Sequence, residues 1–255
     1  NCYWACQPED MTQFDLLILS PGVPPGLPFI EEAKAAGAEI IGELEIAYRV
    51  GHGRYVAITG TNGKTTTTTL VGEIFKAAAR QTYVVGNIGV AVISKALSAE
   101  KDSWLITETS SFQLETIRDF RPEISAILNL TPDHLDRHKT MECYIETKES
   151  ITKNQKEGDV CVLNYEDEVL RKFGETLKTK VIFFSSARKL NQGMYYENGA
   201  IFYHDGTVLT KICDTDELNL LGLHNFENVM AAVAMALAYG VSLEEIRYAL
   251  LRFHA

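Results

Sequence analysis

Apolar residues along this sequence fall into short runs separated by polar or glycine-rich breaks, and the runs alternate with stretches of helical period. Asp15-Leu16-Leu17-Ile18-Leu19 reads as a buried strand, closed by the turn-rich loop Ser20-Pro21-Gly22-Val23-Pro24-Pro25-Gly26. Pro28 to Ala36 reads as a short helix stopped by Gly37, and Glu39-Ile40-Ile41 as a second strand. Past the break at Gly51-His52-Gly53, Tyr55-Val56-Ala57-Ile58-Thr59 predicts a strand, then a glycine loop, then a helix from Lys64 to Ala79. Further strands are expected at Tyr83–Val85, Trp104–Ile106, Ile124–Leu128, Val160–Leu163 and Val181–Phe184, with helices at Ala91–Leu97 and Met141–Lys153. Alternating strands and helices of this kind predict an α/β fold with a mostly parallel sheet flanked by helices.

The pattern breaks near residue 194. Met194-Tyr195-Tyr196 and Ala200-Ile201-Phe202-Tyr203 flank an Asn198-Gly199 turn, and His204-Asp205-Gly206 is a second turn, which predicts a small antiparallel annex. Asn225 to Tyr239 then reads as a helix with an apolar stripe of Phe226, Val229, Met230, Val233 and Leu237. Gly240 closes it, and Ser242 with Glu245 forms a capping box for the next helix.

Composition narrows the classes. Of 255 residues, 46% are hydrophobic and 23% charged, which supports a packed globular core and argues against disorder. A net charge of −10 argues against a duplex nucleic-acid binder but leaves an anionic small molecule open, held by local dipoles and a few lysines. No apolar run reaches the roughly 18 residues that span a bilayer, so no membrane association is expected. Asn1 to Asp10 lack the basic and apolar regions of a secretory signal. Cys2, Cys6, Cys143, Cys161 and Cys213 form no Cys-x-x-Cys pair and are expected as reduced thiols in the cytoplasm.

The chemistry concentrates after the Tyr55–Thr59 strand. Gly60-Thr61-Asn62-Gly63-Lys64-Thr65 has the strand-loop-helix placement of a phosphate loop. Backbone N–H groups converge on phosphate oxygens, Lys64 reaches the β/γ phosphates, and Thr65 can ligate Mg²⁺. A glycine six residues before the lysine is usual, and Ile58 stands there, so the loop is a shortened variant. Thr65 to Thr69 are poor helix starters, which suggests a helix fixed by its ligand and packing, although Thr67 and Thr68 read equally as surface residues. Glu108, at the end of its strand, sits where open α/β sheets bind ligands and is either a Mg²⁺ ligand or a solvated strand-end carboxylate. Asp133 and His134 follow the next strand at the same sheet edge. Lys148, between Glu146 and Glu149, reads from its neighbours alone as a solvated surface lysine.

Three motifs in order, Thr59-Gly60-Thr61-Asn62-Gly63-Lys64-Thr65, Thr131-Pro132-Asp133-His134-Leu135-Asp136-Arg137-His138 and Leu223-His224-Asn225-Phe226-Glu227-Asn228, resemble the Mur ligase family of ATP-dependent amide-forming enzymes. Glu108-Thr109-Ser110-Ser111-Phe112-Gln113-Leu114-Glu115, and Ser20-Pro21-Gly22-Val23-Pro24 with Gly42-Glu43-Leu44-Glu45, are similar to the D-glutamate-adding branch. The resemblance covers nearly the whole chain. It implies that residues 1–50 are the end of a Rossmann-like UDP-substrate domain, that residues 51–255 are the ATP-binding central domain, and that a C-terminal closing domain lies outside this sequence.

The resemblance also implies roles. Gly60, Thr61, Asn62, Gly63, Lys64, Thr65 and Thr66 would bind ATP, with Asn225 and Asn228 on the adenine side. Thr65, Glu108, His134 and a carbamylated Lys148 would hold two Mg²⁺ ions, and Lys64, His134 and Lys148 would be catalytic. Ser20, Pro21 and Gly22 would lie along the UDP portion, and Asn87 and His134 would meet the muramoyl part of UDP-N-acetylmuramoyl-L-alanine, the partner of D-glutamate. Asp136, Arg137 and His138 read as braces of their loop, and His224 as a helix-start residue more than a ligand. A monomer is expected. The competing readings are another Mur ligase or folylpolyglutamate synthase, a non-catalytic nucleotide-binding module, and a phosphotransferase or GTPase with an unusual loop.

Overall fold

A computed structural model describes residue 8 and residues 10–254, so Cys2, Cys6 and most of the Asn1–Asp10 segment lie outside the described residues. In chain order the elements are β1 (Leu16–Leu19), α1 (Pro28–Ala35), β2 (Glu39–Gly42), α2 (Glu43–Val50), β3 (Arg54–Thr59), α3 (Lys64–Ala77), β4 (Thr82–Gly86), α4 (Val92–Ala96), β5 (Trp104–Glu108) and α5 (Ser111–Leu114). They continue with β6 (Ile124–Ile127), α6 (Leu135–His138), α7 (Met141–Glu149), β7 (Val160–Asn164), α8 (Glu168–Thr176), β8 (Lys180–Ser185), β9 (Gly193–Glu197), β10 (Ala200–His204), β11 (Leu209–Asp214), α9 (Leu223–Ala238) and α10 (Leu243–Arg252).

Nine strands form one sheet in the order β11-β10-β9-β8-β7-β6-β3-β5-β4. Pairing is parallel from β4 across to β9, and antiparallel from β9 through β10 to β11. The expected parallel sheet with an antiparallel annex is therefore present, with β11 as an additional strand after the His204-Asp205-Gly206 turn. The hairpin turn is built as its sequence demands: Asn198 and Gly199 both take positive φ, 49° and 78°.

Successive residues of β3 feed opposite cores. Val56 and Ile58 pack with Leu70, Ile74 and Phe75 of α3 and with α9, whereas Tyr55 and Ala57 pack with Leu44, Ala47, Val92 and Ala96. This two-sided burial makes the central strands continuous apolar runs. Helix α9 is buried on all sides from Asn228 to Ala236, wider than the predicted stripe. Its alanines let α3 and α10 approach it while it covers the sheet.

The first unit differs. β1 and β2 form a separate two-stranded parallel sheet over a small core of Met11, Leu19, Ile30, Ala33, Ala38 and Ile40. The buried strand expected at residues 15–19 is corrected here: Leu16 is 39% and Ile18 52% exposed, because β1 pairs on one side only. α2 follows β2 without a break and packs into the core of the central sheet.

Candidate functional site

The topology fixes where a site can form. β3 lies between β5 and β6; the connection leaving β3 runs past β5 to β4, whereas the one leaving β5 runs back past β3 to β6. A crevice at such a switch point, outside the carboxyl ends of the strands, is where open α/β sheets bind ligands. The ends of β3, β5 and β6 deliver Thr59, Glu108 and the Asn129 segment to this one edge.

The loop after β3 is held open by backbone geometry. Gly60 has φ +146° and Gly63 φ +83°, and a Cβ at Gly63 would overlap Asn228 Oδ1. Asn129 staples the loop from below: its carbonyl accepts the Thr61 N–H at 3.0 Å and its Oδ1 the Asn62 N–H at 2.8 Å. α3 begins on Gly63 with no side-chain cap. Its first N–H groups therefore point outward with the positive end of the helix dipole behind them. The helix holds despite its threonines because its inner face is core. Thr67 and Thr68 are fully buried beside Leu70 and Val71, which corrects their reading as surface residues.

Two lysines meet behind the loop. Lys64 Nζ donates to the carbonyls of Gly60 and Thr61 at 2.9 and 2.8 Å. Lys148 Nζ donates to the same Gly60 carbonyl at 3.0 Å and to Thr59 Oγ1 at 3.2 Å. Lys148 is only 2% exposed, so the solvated-surface reading of this lysine is overturned. Its burial comes from residues 88 and 89 positions away in sequence, which neighbouring Glu146 and Glu149 could not signal. Burial, reinforced by the Lys64 charge, depresses the Lys148 pKa to about 7. Burial also lowers that of Lys64, against the opposing pull of Glu108 and Asp133.

Glu108 is 2% exposed and accepts hydrogen bonds from Thr65 Oγ1 at 2.9 Å and from Asn87 Nδ2 at 2.8 Å. Both donors are neutral, so no cationic side chain is hydrogen-bonded to this buried carboxylate. Thr65, Asn87 and Glu108 are thus brought together at the helix start. Among the described residues no three His, Cys, Asp or Glu side chains gather into a metal cage. A Mg²⁺ site here would rest instead on Glu108, the Thr65 hydroxyl and phosphate oxygens, donors suited to a hard cation.

His134 stands apart from this cluster. It is exposed, takes φ +51°, and its ring lies 4.8 Å from that of Phe112, with Asp133 3.5 Å away. Asn228 leans on Gly63, and its Nδ2 lies 3.4 Å from Asn225 Oδ1. Both asparagines share the start of α9, and Asn228 lines a small cleft with Asn62, Gly63 and Phe184. Ser20 and Pro21 line one cleft with Phe112, and Gly22 lines another with it. A cleft of about 640 Å³ between α3 and α10 holds none of the predicted site residues.

Sequence reasoning missed Asn129, Tyr144 and Glu115. Tyr144 packs under Lys148, 4.8 Å from Nζ to ring centre, and its hydroxyl meets Thr61 Oγ1 at 3.0 Å. An asparagine directly after a buried strand is the one signal that could have found Asn129. Two of the three expected braces are seen: His138 is buried with Nε2 2.9 Å from Ser111 Oγ, and Arg137 pairs with Glu115, whereas Asp136 is exposed and offers only its backbone carbonyl, to Lys139.

Comparison with known sequences decides the family. The model of the Mur ligase middle domain matches residues 58–236. The chain belongs to the Mur ligase family. The UDP-N-acetylmuramoylalanine–D-glutamate ligase of Alkaliphilus oremlandii is 53% identical over 239 residues, which cover 94% of this chain and 53% of that protein. The ligases of the same name from Lachnoclostridium phytofermentans and Clostridioides difficile are each 50% identical, over 96% of this chain and 54% of theirs. This Mur ligase chain therefore spans about half the length of the relatives it matches. Among solved structures, the UDP-N-acetylmuramate:L-alanyl-gamma-D-glutamyl-meso-diaminopimelate ligase from Neisseria meningitides aligns with TM-score 0.67 at 19% identity, over 94% of this chain and 79% of that one. The pseudomurein peptide ligase type C from Methanothermus fervidus aligns with TM-score 0.63 at 17% identity, over 96% of this chain and 59% of that one. At such identities these two bear on the fold alone.

Proposed function

We propose that this Mur ligase chain is the ATP-handling part, with the end of the UDP-substrate domain, of an enzyme that joins D-glutamate to UDP-N-acetylmuramoyl-L-alanine. The observation that carries the proposal is the convergence of Lys64 and Lys148 on the Gly60 carbonyl beside an uncapped helix start, with Glu108 held by Thr65 across it. The identity of about half the residues with D-glutamate ligases supports this specificity over another amide ligase. On this reading residues 1–50 belong to the UDP-substrate domain and 51–255 to the ATP domain, with α2 tying the two. The enzyme works as a cytoplasmic monomer on small molecules, consistent with the unpaired, buried Cys161 and Cys213.

The reaction is amide formation in two displacements. An oxygen of the substrate's terminal carboxylate attacks the γ-phosphorus of ATP, ADP leaves, and an acyl phosphate forms. The amine of D-glutamate then attacks the acyl carbon, and phosphate leaves. The N–H groups of Gly63 to Thr66 orient the phosphates, and Lys64 neutralises charge as the γ-phosphoryl moves. Asn225 and Asn228 hold the adenine side. Asn87 and His134 position the muramoyl end, and Ser20, Pro21 and Gly22 the UDP portion. One Mg²⁺ ion held by Thr65, Glu108 and the Lys148 carbamate, and a second held by His134 on its separate loop, would supply Lewis-acid stabilisation of the phosphoryl oxygens. Lys148 suits carbamylation because its neutral amine, the form that adds CO₂, is well populated near pH 7.

The test uses the full-length protein. Sustained ADP release, beyond one equivalent per enzyme, should require both UDP-N-acetylmuramoyl-L-alanine and D-glutamate, and sustained release in the absence of one of them would sink the assignment. Lys148→Arg should be inactive although charge is kept, because a guanidinium can be neither carbamylated nor a metal ligand. Activity should fall in CO₂-stripped buffer and return with bicarbonate, with the added mass on Lys148. Near-normal turnover of Lys148→Arg would reduce Lys148 to a packing residue.

A further inference from the structure

Arg137 joins three segments that the sequence keeps far apart. Its Nε and Nη2 donate to both carboxylate oxygens of Glu115, with the Nη2 bond at 2.6 Å. Its Nη1 donates to the Pro21 carbonyl at 3.0 Å and its Nη2 to the Val23 carbonyl at 3.3 Å. The guanidinium also lies 4.2 Å from the centre of the Phe112 ring, whose neighbour is the His134 ring. Arg137 and Glu115 are each only 14% exposed. Arg137 belongs to the one-turn helix α6, bracketed by His134 at φ +51° and Lys139 at φ +71°. Non-glycine residues stay in that region only where their surroundings over-determine them.

We infer that Arg137 is a positioning residue that registers the Ser20–Val23 loop on the His134 loop, so that seating the UDP substrate and aligning His134 are one event. The inference rests on the function proposed above for those two loops. Three features carry it. The two carbonyls it grips belong to the loop read as lying along the UDP portion. The ring it covers is the ring that touches His134. Its carboxylate partner, Glu115, caps the end of α5, which starts three residues after Glu108. Only a planar fork satisfies a bidentate carboxylate and two carbonyls at once; an ammonium in the same place reaches at most part of the set.

The experiment has two arms. In the full-length protein, Arg137→Lys should raise KM for the UDP substrate and lower kcat, each about tenfold, with KM for ATP within about twofold. Glu115→Gln, which keeps the acceptor geometry and loses the charge, should show a smaller change of the same pattern. A fall in thermal stability with unchanged kinetic constants would overturn the inference, because that is all a merely structural brace would give. The second arm needs no turnover. Amide hydrogen exchange in the Arg137→Lys chain should quicken together over residues 20–24 and 131–139 and stay unchanged over residues 61–66. Unchanged exchange over the first two segments would equally overturn it. An inactive wild-type enzyme would count against the ligase reading, and the exchange arm would still decide the role of Arg137.

Discussion

The two ends of the central sheet both carry charged side chains, and they treat them in opposite ways. At the amino end of the strands, Arg54 forms paired hydrogen bonds with Glu123, at 2.9 Å from Nε and 2.5 Å from Nη2. Its guanidinium lies between Trp104 and Tyr239, 4.3 and 4.5 Å from their ring centres, and the Tyr239 hydroxyl also donates to Glu123. Burial would raise the Glu123 pKa, but the bonds from Arg54 and Tyr239 outweigh it and hold the carboxyl below its ordinary value. At the carboxyl end, Lys148 and Lys64 face carbonyls and a hydroxyl, and Glu108 faces a hydroxyl and an amide. The first cluster is electrostatically closed. The second holds buried charge of both signs with neutral partners, which is costly in a folded chain unless something binds there. Stability resides at one end, and the proposed chemistry at the other.

The comparison is tested most severely at Lys64. In the full-length enzyme Lys64→Ala should lower kcat about 10²- to 10³-fold, the scale for losing one donor that acts mainly in the transition state. Thermal stability should change little. A variant with unchanged kcat and a raised KM for ATP alone would make Lys64 a ground-state clamp.

The opposite end should answer in the opposite currency of measurement. Arg54→Ala strands Glu123 and strips a cation from two aromatic faces, so unfolding in urea should show a loss of about 2–3 kcal/mol. ATP affinity, read by calorimetry on the same chain, should stay within about twofold of the original value. If ATP affinity fell in step with stability, the two ends would be coupled and the division drawn here would fail.

What the sequence disclosed follows the range of the interactions. The phosphate loop, the Asn198-Gly199 hairpin and the Ser242 capping box are written in adjacent residues, so turn and cap chemistry exposes them. The parallel sheet was legible because strands buried on both faces must be continuous apolar runs. Lys148 was illegible: its partners Thr59 and Gly60 come from another element, and its own helix shows polar neighbours. The same holds for α2, whose Leu44 and Ala47 find their core across the central sheet, and for the short helices α5 and α6, too brief to show a period. Family resemblance drew attention to Lys148 where local pattern could not, and its bonds to Gly60 and Thr59 account for its burial.

The smallest effect, and the sharpest on the meaning of the unpaired end, is the pH dependence of Lys148. Its folded pKa is about 7, against 10.5 for an ordinary lysine. Below pH 7 both folded and unfolded chains carry the proton, and the folded chain bears the full desolvation penalty. Between pH 7 and 10.5 the unfolded chain binds a proton that the folded one does not, so this group makes stability rise with pH across that window. Replacing it by methionine removes the penalty, and the Gly60 carbonyl keeps its bond from Lys64. In metal-free, CO₂-stripped buffer Lys148→Met should therefore be more stable than the parent by on the order of 1–2 kcal/mol near pH 6, with the gain shrinking steadily toward pH 10. Urea unfolding at several pH values measures this directly. A constant difference across the series would mean that Lys148 keeps its ordinary pKa and that the buried lysine at the carboxyl end is as well satisfied as the arginine at the other.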